Sequence, residues 1–310
     1  MSTLYYYHKD FLHHDTGLGH PESPDRLSHI NAALKESAFD SLKRIGPELR
    51  QDVIELIRLV HTQAMIDKVL QKVTADSYIP LDQDTLLSDG SAQAALLAVS
   101  AVCDAVEKVC NKKANNAFCA VRPPGHHAEP EKSMGFCLFN NVAIATEYAR
   151  KVHNIKRIAI IDFDVHHGNG TQAVFYKNAD VFYASTHEMP NYPGTGYASE
   201  TGVGNIVNVP LAPGETGEQF REKYRHKILP ALKRFNPDLI LLSAGFDAHK
   251  DDPLASIQLV QEDYQWLTQE IMDIAKTCCN GKIISVLEGG YNLYALADCV
   301  SAHIAVLMKS

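Results

Sequence analysis

The sequence predicts an α/β protein built on an open parallel sheet with helices on both faces. Three observations carry this reading. Residues 158–161, 239–242 and 283–287 are short apolar runs of the kind that form strands buried on both faces. They alternate with longer stretches of helical periodicity, and strand–helix alternation implies parallel neighbours joined by right-handed crossovers. Each run also breaks at its C-terminal end into polar residues, at the edge where open α/β sheets bind ligands.

Taken in order, residues 3–7 read as a first strand. Residues 11–26 follow as a structured loop dense in His, Gly and Pro, and residues 27–35 as a helix. Residues 53–61 read as a strand and 62–73 as a helix. Residues 91–111, rich in Ala and Val at helical spacing, predict a helix packed on the sheet. Residues 117–121 form a strand that Pro123 and Pro124 stop from continuing, and it leads into His126-His127. Residues 140–153 are helical and feed the 158–161 strand, which opens into Asp162-Phe-Asp164-Val-His166. Strand 181–184 runs into Ser185-Thr-His187, strand 239–242 into Ser-Ala-Gly-Phe-Asp247, and strand 283–287 into Glu288-Gly-Gly-Tyr291. Helical segments lie near 215–235, 261–278 and 293–308. No internal repeat or linker interrupts the series, so residues 1–310 are expected to form one catalytic domain.

Composition narrows the function. Apolar residues make up 45% and charged residues 21% of the chain, as in soluble globular proteins. A net charge of −8 argues against nucleic acid as a partner and suits cationic substrates. The seven cysteines form no Cys-x-x-Cys pair, so neither a disulfide framework nor a thiolate metal site is expected. The N-terminus lacks the pattern of a signal peptide, and no apolar run reaches membrane-spanning length. The expected compartment is a reducing cytoplasm, with no membrane association; self-association is left open.

Five strand ends bearing His-His, Asp-x-Asp-x-His, Ser-x-His, Asp and Gly-Gly-Tyr would share one cleft. If the backbone stays extended, Asp162, Asp164 and His166 point to one side. Asp164, His166 and Asp247 offer a metal two oxygens and one nitrogen, leaving a position for water or substrate as in catalytic zinc sites. Zinc is the first choice, although such ligation also suits ferrous and other divalent ions. His126 and His127 are candidate proton-transfer groups. Tyr291, after two glycines that permit close backbone approach, can donate to a developing oxyanion.

Together, Arg122-Pro-Pro-Gly-His-His127, Gly135-Phe-Cys137 with Asn140-Asn141, Asp162-x-Asp-x-His-His-Gly-Asn-Gly170, Ala244-Gly-Phe-Asp247 and Glu288-Gly-Gly-Tyr-Asn292 resemble the histone deacetylase family. The likeness is strongest to class II enzymes and related bacterial amidohydrolases, including acetylpolyamine amidohydrolases. With His20-Pro21-Glu22 and Pro24-Asp25-Arg26, the resemblance spans nearly the whole chain. It implies the arginase/deacetylase fold, an open parallel sheet of about eight strands. It implies one zinc ion on Asp164, His166 and Asp247, and metal-activated water attacking an amide carbonyl. His127 becomes the main general base and acid and His126 its electrostatic support. Asp162 would orient His126, and Asn169 would partner His127. Tyr291 stabilises the oxyanion, and Arg26 lines an internal acetate channel. A potassium ion would sit on Asp162, Asp164, the His166 carbonyl and Ser185. Gly135, Phe136 and Tyr192 would wall the substrate stem, with Leu254 at the rim.

Three differences from related sequences shape the expectation. Class I enzymes carry Asp where this chain has Asn169, and a neutral amide stabilises an imidazolium less than a carboxylate does, so His127 should titrate low. The arginase branch carries a second carboxylate after Asp-x-His, supporting two manganese ions; here Gly168 stands there, so one catalytic metal is expected. Polyamine-specific relatives have Glu after the Asp-Pro pair, where this chain has Leu254. Acyl-lysine in proteins or peptides is therefore the expected substrate, with an acetylpolyamine or other small acetylated amine as the alternative. A reading of another class is a non-catalytic module that holds acyl-lysine.

Overall fold

Ile158-Ala-Ile-Ile-Asp162 sits at the heart of the protein, every residue buried. The computed structural model describes residues 2–309. The strands are β1 (Thr3–Tyr6), β2 (Lys43–Ile45), β3 (Ile79–Pro80), β4 (Leu86–Leu87), β5 (Asn116–Cys119), β6 (Ile158–Asp162), β7 (Val181–Glu188), β8 (Ile206–Leu211), β9 (Leu239–Ala244) and β10 (Ile283–Leu287). Eight of them form one sheet in the order β2-β1-β5-β10-β9-β6-β7-β8, and every pairing in it is parallel. β3 and β4 make a separate antiparallel pair.

The four strands at the centre, β5, β10, β9 and β6, are buried on both faces, which is why their sequences do not alternate. Register aligns their C-terminal ends. Asp162 pairs with Ser185 on one side and Ser243 on the other, and Leu287 pairs with Ala244. The residues that follow these strands therefore emerge at one edge.

Helices cover the faces. Ser91–Cys110 packs against Asn141–His153, whose first turn is capped by Asn140 accepting from Ala143 N and whose last residue is followed by Asn154 in the left-handed region. Gln261–Cys279 packs against Leu293–Leu307. Among the described residues no helix is long and apolar enough to cross a membrane.

Three expectations change. Residues 53–57 form a helix, not a strand. Val53, Leu56 and Ile57 are its buried residues, a spacing of three and four that fits one helical face. Two strands of the main sheet escaped notice, as did the short β3–β4 pair. β2 (Lys-Arg-Ile) is a mostly exposed edge strand with no apolar run, and β8 carries Pro210, tolerable because β8 is the opposite edge. Pairing with β8 extends β7 to Glu188, so Ser185 and His187 lie within a strand instead of after it.

Candidate metal centre and active site

Strand β6 ends at Asp162, so alternation does not decide where the next side chains point. The Asp162 carboxylate turns to Nδ1 of His126, 3.1 Å away, and accepts from the Tyr183 hydroxyl at 3.0 Å. Asp164 and His166 lie on the loop beyond, and Asp247 comes from the loop after β9. Their ligand atoms all fall within 4.8 Å of one another, and all three residues are buried. Nδ1 of His166 is 3.2 Å from both Asp164 Oδ1 and Asp247 Oδ2. Backbone amides hold the carboxylates: Gly289 N donates to Asp164 at 2.8 Å and Val165 N to Asp247 at 2.9 Å. At Gly289 a Cβ would come within 2.2 Å of Asp247 Oδ2, which is why the chain needs glycine there.

These residues fit a divalent cation. Two buried carboxylates and one imidazole nitrogen face a common point, an N/O set suited to zinc and its neighbours. Burial and the like charge of Asp164 push the Asp247 carboxyl above its ordinary range, as expected where buried negative charge is gathered at one point. Among the described residues a second group, His126, Cys137 and Glu288, is equally close. There, however, Glu288 already accepts from Gly125 N, His126 N and the Ser243 hydroxyl, so it anchors the His-His turn.

Above the triad opens a cavity of about 240 Å³, lined by Asp84, His127, Gly135, Phe136, His166, Asn191, Tyr192, Leu254 and Tyr291. All four residues expected to contact the substrate are among them. Gly135 and Phe136 adopt left-handed backbone at φ 56 and 67, and Phe136 N donates to the buried Thr85 hydroxyl at 3.0 Å. A Cβ on Gly135 would lie 2.5 Å from His127 Cδ2. Tyr192 has its ring 5.0 Å from that of His127. Tyr291 meets Phe136 edge-on at 5.8 Å. Burial raises its phenol well above the usual range, and Asp247 and Asp164 add to this, so it stays a proton donor.

The two adjacent histidines are driven apart. Burial works against an imidazolium at His126, but the Asp164 and Asp162 carboxylates outweigh it and raise the group to about 10. His127 is held well below its ordinary value by burial and by the neighbouring His126 and His166 rings. Its Nδ1 lies 2.8 Å from Asn169 Oδ1.

Arg26 is fully buried. Its Nη1 donates to Glu22 at 3.0 Å and its Nε to the Gly290 carbonyl at 2.7 Å, with Nη2 on the Glu288 carbonyl. Its guanidinium carbon lies 5.2 Å from the centre of the Tyr291 ring. Arg122 shares Glu22 with it and ties down the carbonyls of Phe11 and His14. Ser185 gives its hydroxyl to His187 Nδ1 at 2.9 Å. Sequence reasoning passed over Asp84 and Thr85, and it quoted Glu22 and Glu288 only within motifs, without a role in building the site.

The model of the family described as "Histone deacetylase domain" matches residues 20–307. A probable deacetylase of Archaeoglobus fulgidus is 38% identical over 298 residues, covering 94% of this chain and 82% of that protein. A histone deacetylase-like amidohydrolase of Pseudomonas aeruginosa is 36% identical over 299 residues, covering 93% and 77%. The crystal structure of the HDA15 HD domain is similar with a TM-score of 0.93 and 36% identity, covering all of this chain and 88% of that one. The parallel eight-stranded sheet is thus that of the arginase/deacetylase fold. Matched in sequence over nearly all its length and in structure over all of it, the chain belongs to the histone deacetylase family of deacetylases and amidohydrolases, hydrolases that act on amide bonds.

Proposed function

We propose that residues 1–310 act as one catalytic domain, a zinc-dependent deacetylase that removes acetyl or related acyl groups from lysine side chains. The observation that carries this is the Asp164–His166–Asp247 triad within 4.8 Å at the base of a cavity faced by His127 and Tyr291. Asp164, His166 and Asp247 would hold one zinc ion, which when bound would supply Lewis acidity toward the amide carbonyl and toward water. His127, neutral and buried, accepts the proton of the attacking water on Nε2 and returns it to the leaving amine. His126, kept cationic by the Asp164 and Asp162 carboxylates, stabilises the negative charge that develops. The Tyr291 phenol donates a hydrogen bond to the tetrahedral oxyanion. Products are a carboxylate and a free amine. For the acetate channel, support comes from the buried Arg26 guanidinium beside the Tyr291 ring. For a potassium site on Asp162, Asp164, His166 and Ser185, it comes from the β6–β7 register. The compartment proposed is the reducing cytoplasm, consistent with seven free thiols.

Gly135, Phe136, Tyr192 and Leu254 form an apolar sleeve suited to the methylene stem of lysine. One observation favours the second reading, a small acetylated amine. Asp84 places a carboxylate in the lining, where a second ammonium of a polyamine can pair. Turnover of acetyl-lysine peptides against acetylspermidine, with and without a chelator, tests both. Peptide turnover lost on chelation and restored by zinc is the expected result. A zinc-loaded protein inert toward every acyl-amide would leave only the non-catalytic binding reading.

A further inference from the structure

The amide of Asn169 has two ends, and only one leaves His127 able to act as a base. If Oδ1 faces the ring, Nδ1 carries the proton and the Nε2 lone pair faces the cavity. If the amide turns over, its NH2 faces Nδ1, the proton moves to Nε2, and the base is lost. Nothing in His127 or Asn169 chooses between these states. The choice comes from Glu129: Asn169 Nδ2 donates to Glu129 Oε1 at 2.7 Å. An ionised carboxylate accepts only, so it takes the NH2 end and turns Oδ1 toward His127.

Glu129 is itself held from the core. Its carbonyl accepts from His61 Nδ1 at 3.0 Å, while Nε2 of the same ring accepts from Asn140 N at 2.9 Å. Its amide donates to Lys132 O at 2.9 Å. The neighbouring histidine needs no such intermediary, because Asp162 sits directly on His126 Nδ1.

We infer that Glu129 is a positioning residue for the amide-hydrolysis reaction, setting the orientation of Asn169 and through it the tautomer of His127. This rests on the reading of His127 as the general base. The test compares Glu129→Met, which replaces the carboxylate by a weakly accepting thioether of similar length, with Glu129→Gln, which keeps a full oxygen acceptor. In the Met variant kcat on an acetyl-lysine peptide falls about tenfold, the worth of one charge-assisted hydrogen bond, with KM unchanged. The Gln variant stays within about threefold of the parent. Nitrogen-15 histidine spectra of the zinc-loaded protein, with His127 assigned by its loss in His127→Gln, show the Nδ1–H tautomer in the parent and the Gln variant. The Nε2–H form appears in the Met variant. Glu129→Ala is the second arm if Met disturbs the loop. An unchanged His127 tautomer in both Met and Ala variants overturns the proposal whatever kcat does. A parent protein without acyl-lysine turnover sinks the proposed function instead, and the spectra still decide the part played by Glu129.

Discussion

Glu22→Gln removes the single carboxylate that two fully buried guanidiniums share. Glu22 meets Arg122 at 2.8 Å and Arg26 at 3.0 Å, with His14 Nε2 3.8 Å away, and all of them are inaccessible to solvent. Burial on its own would raise the Glu22 carboxyl; the charge and hydrogen bonds of Arg122 win, with help from Arg26, and hold it at about 2 against an ordinary 4.5. At about 1.4 kcal/mol per unit, that shift is worth roughly 3 kcal/mol. It agrees with the ~3–5 kcal/mol cost of breaking a buried ion pair from one side. The variant should therefore melt about 5–8 °C below the parent, at roughly 1.5 °C per kcal/mol for a domain of 310 residues. The sign with pH follows. A depressed folded pKa contributes stability that is present above about 4.5 and is lost as pH falls toward 2, so the variant's stability should vary less with pH across that window. Because Arg26 also clasps the carbonyls of Glu288 and Gly290 beside Tyr291, kcat should fall even at temperatures where the variant is folded. Calorimetry from pH 3 to 7 with parallel activity assays is the measurement. A variant melting within about 2 °C of the parent, with the same acid slope, would refute the claim that this carboxylate neutralises the buried cations.

Three further outcomes are expected. Metal analysis should find one tightly bound divalent ion per chain. Asp247→Asn should lose it, and chelation should lower the melting temperature of the parent but not of that variant; two ions per chain would contradict the single-metal assignment. Asn169→Asp places a carboxylate on His127 and should move the acidic limb of the pH–rate profile upward, because a nearby anion favours the imidazolium. The full shift, about 1–3 pH units, should need Glu129→Gln as well, since Asp at 169 otherwise meets the Glu129 carboxylate. A limb that stays in place in the double variant defeats the argument. Leu254→Glu, at the half-open rim of the cavity, should raise acetylspermidine turnover relative to acetyl-lysine peptide by about two- to fivefold, as expected of a single solvated ion pair; an unchanged ratio removes Leu254 from the determinants of specificity.

The chain's own order of residues was enough for the parallel sheet, because strands buried on both faces must be continuously apolar and their polar exits stand out. It was also enough to single out Asp164, His166, Asp247, His126, His127 and Tyr291, since such residues at the ends of buried strands have few purely structural uses. Edge strand β2 and the helix at Val53–Ile57 were missed or misread: an edge needs no apolar run, and five residues are too few to separate a period of 2 from one of 3.6. What only the tertiary structure decided is which groups touch. Asp162 leaves the neighbouring carboxylate to face His126, Glu22 from the first loop neutralises Arg26 and Arg122, and Glu129 reaches Asn169. These contacts depend on the directions of loops beyond the strand ends, which side-chain periodicity does not encode. They are set where separately formed elements pack together and each buried donor or charge finds the partner it needs.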